Sequence, residues 1–340
     1  MDRKNIAYSI LELAFISEGD TLQKTLHNTL ALAKEAEANN YKRIWFAEHH
    51  NSDSVGSSAT SIIIGYVAEN TATIKVGSGG VMLPNHSPLI VAEQFATLAH
   101  LYPNRIDLGL GRAAGADQAT AQAIRSDFFT AARLFPNEVA KIQQYFSLEN
   151  KRASVRATFA EGIDVPLYIL GSSTYSAHIA AQMGLPYAFA AHFGTNYLQE
   201  ALKIYKQEFK PSEFLSKPYT IVGVSVYVAD TDEEAEKLFT SMIRMYISLT
   251  RGSSDLFQPP TEMTEDLKQM LLHPALMPKL KYSFVGSKET VKKQIKAFLA
   301  ETDVDELIDA SAMYDINDRI KSARLFAEIM KEIAEDTGHV

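Results

Sequence analysis

Short apolar runs, rich in β-branched residues, alternate along the chain with longer segments whose apolar residues recur at helical spacing. The short runs are typical of buried strands, and the longer segments of helices with one apolar stripe. Eight runs are predicted to be strands: Ile6–Phe15, Arg43–Ala47, Ile74–Leu83, Arg105–Leu110, Pro166–Leu170, Tyr187–Ala191, Tyr219–Val228 and Val304–Ala310.

Polar residues at the start of the helical segments predict where the helices begin. Asp20, Thr231 and Asn317 are predicted N-caps, and Ser87 is a predicted cap followed by proline at the first helical position. Residues 115–150 are predicted to be helical, and residues 150–163 irregular. Residues 251–283 are punctuated by proline and serine, which predicts a loop with a short helix.

Strands that alternate with helices predict a parallel sheet with helices outside it. Eight βα units without a break in composition favour one closed (β/α)8 TIM barrel over residues 1–340, with insertions near 113–163 and 251–283. The alternative is a pair of doubly wound domains. No Gly/Ser/Pro-rich linker separates two halves, so a single domain is favoured.

The composition excludes several classes of protein. The formal charge is −8 with 46% hydrophobic and 22% charged residues, which argues against binding nucleic acid or an anionic membrane through bulk charge. Cysteine is absent, so disulfides, thiolate nucleophiles and cysteine metal sites are excluded. No apolar run approaches the ~18 residues of a membrane helix, and no signal-peptide cleavage site is evident. A cytoplasmic enzyme is expected.

Polar and glycine residues follow directly after the predicted strands. In a parallel barrel these strand ends share one face, where barrel enzymes build their active sites. The pattern therefore predicts an enzyme, and it consists of Glu48-His49-His50, Gly77-Ser78-Gly79-Gly80, Gly111-Arg112, Gly171-Ser172-Ser173 and His192.

The segment Gly171-Ser172-Ser173-x-x-Ser176 lies between a predicted strand and a predicted helix. A helix N-terminus offers unpaired N–H groups and the positive end of the helix dipole, both of which suit a phosphate. Arg112, at the neighbouring strand end, would add a charge-assisted hydrogen bond. The alternative is an ordinary serine N-cap, and phosphate binding is the favoured interpretation.

Two other features leave alternatives open at this stage. His49 and His50 point to opposite sides if the strand continues through them, so one would face the barrel mouth and the other would pack. Adjacent histidines do not favour a metal site. Gly79-Gly80 is either a strand bulge or a place where a flat ring approaches the backbone.

The segments Ser57–Asn70 and Leu89–Tyr102 are apolar on more than one side. An outer barrel helix needs only one apolar stripe, so these segments favour a homodimer. Coverage by the chain's own insertions is the alternative.

Several motifs together resemble the bacterial luciferase-like flavin-dependent monooxygenase family. The likeness runs over nearly the whole chain, and it is stronger to bacterial members of unassigned substrate than to the luciferase subunits. The motifs are Trp45-Phe46-Ala47-Glu48-His49-His50, Gly77-Ser78-Gly79-Gly80-Val81-Met82-Leu83-Pro84-Asn85-His86-Ser87-Pro88, Arg105-Ile106-Asp107-Leu108-Gly109-Leu110-Gly111-Arg112 and Gly184-Leu185-Pro186.

The resemblance implies a TIM barrel, an FMN cofactor and a homodimer. It places His49 at the family's active-site histidine, flanked by Glu48 and His50, and Gly79-Gly80 at a non-proline cis peptide against the flavin ring. The phosphate-binding positions fall on Arg112, Ser172, Ser173 and Ser176, beside Gly171. Gly111 stands where luciferase has a reactive cysteine, so light emission is not expected.

The implied activity is a monooxygenase acting on paired donors with O2. A separate NAD(P)H-dependent reductase would supply reduced FMN, and one oxygen atom would go to a small organic substrate. No metal is expected. Two alternatives remain, namely a deazaflavin-dependent oxidoreductase that transfers hydride on the same barrel, and a non-catalytic flavin-binding protein.

Overall fold

A computed structural model describes residues 5–253 and 255–338, and within them nine strands form one connected sheet system. The strands are β1 (Ala7–Glu12), β2 (Arg43–Phe46), β3 (Lys75–Met82), β4 (Ile106–Gly111), β5 (Leu167–Gly171), β6 (Tyr187–Phe189), β7 (Thr220–Ala229), β8 (Ser283–Ser287) and β9 (Glu306–Asp309).

Eight of these strands close into a barrel in which every neighbouring pair is parallel. The order runs from β1 to β7 and returns to β1 through β9. Glu306 of β9 closes the ring, because it is in register with Ala7 of β1 on one side and Ile221 of β7 on the other. The predicted (β/α)8 TIM barrel is confirmed, and all eight predicted strands belong to it.

The ninth strand, β8, lies outside the barrel. The first half of β7, residues 221–224, pairs with β9, whereas its second half, residues 225–229, pairs with β8. One long strand therefore belongs to the barrel at its start and to an outer two-stranded ribbon at its end. Strand β8 is not among the predicted strands, because its five residues are only half buried and follow the segment punctuated by proline and serine.

Thirteen α-helices occur in the described residues, and those that follow barrel strands pack around the ring. They are α1 (Leu22–Ala38), α2 (Thr60–Glu69), α3 (Pro88–Leu101), α4 (Gln118–Ile124), α5 (Phe128–Arg133), α6 (Phe135–Phe146), α7 (Thr174–Met183), α8 (Leu198–Glu208), α9 (Asp232–Thr250), α10 (Glu265–Leu271), α11 (Met277–Leu280), α12 (Lys288–Glu301) and α13 (Ile316–Gly338). None of these helices combines the length and the apolar character that crossing a bilayer requires.

Two of the predicted N-caps are wrong by one or two residues. Helix α1 is capped by Thr21, whose hydroxyl accepts a hydrogen bond from the Lys24 N–H, while the Asp20 carboxylate instead binds the Lys24 Nζ. Asn317 lies inside α13, and the Asp315 carboxylate accepts its N–H. Adjacent good capping residues compete at both places, and the local pattern does not choose between them.

The amino-terminal half of the barrel interior is filled by a buried charged cluster. Arg43 bonds to Asp107, to Tyr168 Oη at 2.6 Å and, through Nε, to Glu306 Oε1 at 2.9 Å. These residues lie on β2, β4, β5 and β9, so the cluster ties strands together across the ring. Because this half is filled, only the carboxyl ends of the strands leave room for a ligand.

Candidate active site

A cavity of about 520 Å³ opens among the carboxyl ends of the barrel strands. Its volume is typical of a site for a small molecule or cofactor. Each of the eight barrel strands contributes to its wall, through Leu11, Trp45, Gly79, Gly111, Leu170, Ala188, Gly223 and Ile308.

The cavity wall is mostly apolar and carries an unusual balance of charge. Arg112 and Lys279 are its two cations, and no Asp or Glu from the described part of the chain lines it. The whole protein carries a formal charge of −8, so the absence of acids here is a local property. The wall therefore suits ligands that are largely apolar and carry negative charge.

One side of the cavity has the features of an anion-binding site. Ser173 occupies the N-cap position of α7, but its side chain makes no capping hydrogen bond. The N–H groups in the first turn of a helix have no intrahelical partner. The Arg112 guanidinium carbon lies 4.2 Å from the ring centroid of Tyr175 in that same turn. We call Arg112, Ser172, Ser173 and the first turn of α7 the anion seat.

Arg112 has no carboxylate partner within the described residues, and its side chain is exposed. The cation–π contact with Tyr175 favours this position of the guanidinium without neutralising its charge. Its charge therefore remains available to an anion at the helix terminus.

Ser176 stabilises the turn that carries Ser173 of the anion seat. Its hydroxyl donates to the Ser173 carbonyl oxygen at 2.9 Å and lies 3.1 Å from the Tyr187 hydroxyl. A Cβ at Gly171 would stand 2.1 Å from the Ser176 Oγ, so this close packing requires glycine. Ser176 and Gly171 both line the cavity, and Ser176 uses its proton to hold the turn.

Gly79 and Gly80 lie in the middle of β3 and are joined by a cis peptide bond, as the resemblance implied. The register between β3 and β4 shifts between Ser78 and Val81, so the diglycine is also a strand irregularity. Gly79 lines the cavity, with the Trp45 and Leu11 side chains around its Cα. Gly80 faces β4, where a Cβ would stand 2.7 Å from the Gly109 carbonyl oxygen.

Two histidines face the cavity from neighbouring regions of the wall. Burial lowers the pKa of His49 below its ordinary value. Burial, with a smaller effect from His49, lowers the pKa of His192 to about 4. The Nδ1 atom of each ring is buried and has no hydrogen-bond partner in the described structure. Both imidazoles are therefore uncharged at neutral pH.

The position of His192 is set by the strand beside it. A Cβ at Gly223 of β7 would lie 2.5 Å from the His192 Nδ1, so the ring packs where β7 has no side chain. Tyr246 of α9 donates a hydrogen bond to the His192 carbonyl oxygen at 3.3 Å.

Glu48 is buried and lies outside the cavity wall, at the centre of a cluster of hydrogen-bonded residues. Its carboxylate accepts hydrogen bonds from His50 Nε2 at 2.8 Å, His86 Nε2 at 2.9 Å, Asn85 Nδ2 at 2.9 Å and the Met82 N–H at 3.0 Å. Burial alone would raise the pKa of Glu48, but these hydrogen bonds lower it to about 2. We call these five residues the Glu48 clamp, which joins the loops after β2 and β3.

The structure brings seven of the ten candidate residues to the cavity. They are His49, Gly79, Arg112, Gly171, Ser172, Ser173 and Ser176. The other three, Glu48, His50 and Gly80, are next in sequence to residues of the wall but do not line the cavity themselves. His49 and His50 point in different directions, as strand geometry predicts, with His50 turned toward Glu48.

Three further residues that line the cavity were not predicted from the sequence, namely Tyr246 and Leu249 on α9 and Lys279 on α11. They lie in or beside the segment predicted to be a loop, where no motif marks them. Trp45 was noted only as part of a motif, yet it forms part of the wall beside Gly79.

A closed parallel barrel with a mostly apolar cavity at the carboxyl ends of its strands is the architecture in which TIM-barrel enzymes build their active sites. Residues 7–306 match the family model described as "Luciferase-like monooxygenase". The chain belongs to this family, whose members are oxidoreductases of the monooxygenase type.

Individual relatives agree with this assignment. The chain is 43% identical to a "Luciferase-like monooxygenase" of Escherichia coli (strain K12), over 98% of this chain and 99% of the relative. It is 33% identical to an "N-acetyl-S-alkylcysteine monooxygenase" of Bacillus subtilis (strain 168), over 92% and 91% of the two chains. The crystal structure of apo-MsnO8 superimposes with a TM-score of 0.87 at 31% identity, covering 96% and 98% of the two chains.

More distant structures share the fold alone. An oxygenating constituent of 3,6-diketocamphane monooxygenase from Pseudomonas putida, in complex with FMN, has a TM-score of 0.71 at 15% identity and covers 95% and 97% of the two chains. An F420-dependent secondary alcohol dehydrogenase has a TM-score of 0.68 at 15% identity and covers 96% and 98%. The same fold therefore occurs in a protein crystallised with FMN and in a protein named for its dependence on F420.

Proposed function

We propose that the protein is an FMN-dependent monooxygenase that uses reduced flavin and O2 to oxygenate a small organic substrate. The observation that carries the proposal is the anion seat, placed at one side of a mostly apolar cavity in a chain of the luciferase-like family. When bound, reduced FMN supplies the two electrons with which O2 gives one oxygen atom to the substrate and one to water.

The cavity residues fit this cofactor in their chemistry. An unpaired guanidinium, two serine hydroxyls and the N–H groups of a helix terminus suit a phosphate dianion. The apolar wall around Trp45 and Gly79 suits a flat aromatic ring. Arg112, Ser172 and Ser173 would hold the phosphate, Gly171 and Ser176 would shape the seat, and the Gly79-Gly80 backbone would face the ring.

His49 is the proposed acid–base residue. It lines the cavity, its lowered pKa keeps the imidazole neutral at pH 7, and its buried Nδ1 leaves Nε2 as the nitrogen able to exchange a proton with a ligand. Glu48 and His50 are proposed to act indirectly, because the Glu48 clamp holds the loop that carries His49. The apolar wall excludes water from the reaction.

The proposal extends to partners and location. A separate NAD(P)H-dependent reductase would supply reduced FMN. The exposed Ile62, Ile90 and Leu101 on α2 and α3 support a homodimer through these helices. The protein is also proposed to be cytoplasmic, where NAD(P)H is available to such a reductase.

The decisive experiment is titration of the protein with FMN, reduced FMN and F420. Trp45 is the only tryptophan of the chain and lines the cavity, so its fluorescence reports directly on occupancy. Quenching by reduced FMN at micromolar concentration is expected. Preference for F420 would favour the hydride-transfer alternative.

A second step separates catalysis from flavin storage. A substrate screen with a flavin reductase and O2 begins with N-acetyl-S-alkylcysteines, the class named for the Bacillus subtilis relative. An oxygenated product is expected. Tight FMN binding without a product from any compound would favour a flavin-binding protein.

A further inference from the structure

Lys279 is a cation of the cavity wall that has no role once the anion seat is assigned to the cofactor. It lies on α11, lines the cavity, and has no carboxylate partner within the described residues. Its Nζ lies 5.5 Å from the ring centroid of Tyr246, and Tyr246 in turn binds the His192 backbone. Lys279 therefore stands on the β6–β7 side of the mouth, whereas Arg112 stands on the β4–β5 side.

The charge balance of the cavity calls for a second anion. His49 and His192 are neutral, no acid from the described residues lines the wall, and Arg112 is already matched to a phosphate. Lys279 is half-buried and has no carboxylate partner within the described residues, so its charge remains available to an anionic ligand in the cavity. Surface lysines normally turn into solvent, but Lys279 is held against the Tyr246 ring.

The wall near Lys279 is otherwise apolar. Met245 and Leu249 flank Tyr246 on the cavity side of α9, and Phe15 and Phe193 face the same space. A ligand there would gain most of its affinity from burying hydrocarbon surface. The single ammonium would fix its orientation.

We propose that Lys279 selects the substrate, and that the substrate is an apolar organic acid whose carboxylate binds the Lys279 ammonium while its chain lies along the α9 wall. This inference rests on the proposed function, because it assumes that the anion seat is occupied by the cofactor. Lys279 is thus a specificity residue, and it takes no part in the chemical step.

The test compares two probes that differ in charge. Octanoate and octanamide have the same chain, and each is titrated into the FMN-loaded protein by isothermal calorimetry. The wild-type protein is expected to prefer octanoate. In Lys279→Met the octanoate affinity should fall about 10-fold or more, the scale of one hydrogen bond to a charged group, with octanamide unchanged. Lys279→Arg should retain the preference.

Lys281 provides a matched control. It lies two residues away, contacts the Tyr282 ring at 5.0 Å and does not line the cavity. Lys281→Met should bind both probes like the wild-type protein. Equal binding of the two probes by the wild-type protein, or an equal loss of both in Lys279→Met, would overturn the inference.

Cofactor binding is measured separately in the same variants. FMN affinity, followed by Trp45 fluorescence, should not change in Lys279→Met. A weakened FMN affinity would overturn the inference by assigning Lys279 to the cofactor. Failure of the wild-type protein to bind FMN at all would instead refute the proposed function, so the two failures are distinguishable.

Discussion

Arg112 places a positive charge at the cavity wall, and no carboxylate of the described residues pairs with it. Its guanidinium lies against the ring of Tyr175. Arg112→Ala should weaken FMN binding about 10- to 100-fold, the scale of charge-assisted hydrogen bonds to a phosphate.

This prediction is checked by titrating FMN against Trp45 fluorescence. Arg133→Ala is the control, since Arg133 is exposed at the end of α5 and does not line the cavity. An unchanged dissociation constant in Arg112→Ala would reject the assignment of the anion seat.

His49 gives a second prediction at the scale of one residue. His49→Gln keeps a polar side chain of similar length but cannot act as an acid or base near neutral pH. FMN affinity should stay within about 3-fold, and turnover of a compound that the wild-type protein oxygenates should fall about 100-fold or more.

The pH profile supplies an independent readout for His49. Burial lowers its pKa below the ordinary 6.5, so the imidazole is neutral and active above that value and becomes protonated only below it. The wild-type rate should fall on the acid side below pH 6.5, and His49→Gln should lose this limb. Equal rates in the two proteins would remove His49 from the mechanism.

At the scale of elements, glycine allows β3 and β4 to approach closely. A Cβ at Gly109 would stand 2.2 Å from the Ser78 carbonyl oxygen, a backbone atom that cannot move aside. Gly109→Ala should therefore destabilise the fold by at least about 3 kcal/mol, which is typical of a severe core clash.

Gly65 is the matched control for this clash. It lies inside α2, and a Cβ there meets only Leu98 Cδ2, at an ordinary contact distance of 3.4 Å. Gly65→Ala should be neutral or stabilising by up to about 1 kcal/mol, because alanine favours the helix. Chemical denaturation compares both variants, and similar stabilities would contradict the predicted role of Gly109.

The Glu48 clamp predicts a pH-dependent contribution to stability. Its hydrogen bonds lower the Glu48 pKa from 4.5 to about 2, so the stabilisation is fully present above pH 4.5 and is lost as the pH falls from 4.5 toward 2. Glu48→Gln should cost about 3 kcal/mol at pH 7, because the clamp loses its buried charge.

Denaturant titrations of both proteins across that pH range check this prediction. The difference in unfolding free energy between wild type and Glu48→Gln should shrink as the pH falls below 4.5. A constant difference would show that the Glu48 charge does not contribute through the clamp.

How far the sequence predicts the structure also differs between elements. The eight barrel strands were predictable because strands buried on both faces are mostly apolar, even though Arg43, Asp107 and Glu306 interrupt three of them. The half-exposed β8 carries no such signal. In the same way, motifs at the strand ends predicted His49 and the residues of the anion seat. Lys279 lines the cavity only because α11 packs beside α9, and no local sequence pattern predicts that packing.

At the scale of the whole molecule, two outer helices leave apolar side chains uncovered. Ile62 on α2 is 73% exposed and Leu101 on α3 is 63% exposed. Ile62→Asp should shift the protein from dimer to monomer in light scattering, because a charge at the centre of an apolar interface loses its hydration.

Leu272→Asp is the control for this change, since Leu272 is similarly exposed, at 75%, but follows α10 far along the chain. It should leave the dimer intact. A wild-type protein that is monomeric at all concentrations would refute the proposed homodimer.

The divided pairing of β7 separates the molecule into two parts with different tasks. Between β7 and β9 the chain leaves the ring, and α9 and α11 of this excursion supply Tyr246, Leu249 and Lys279 to the cavity. The anion seat instead comes from the segments that follow β4 and β5 and from the first turn of α7. If the anion seat holds the cofactor as proposed, substitutions in α9 and α11 would therefore change which molecules the cavity accepts and leave the cofactor contacts in place.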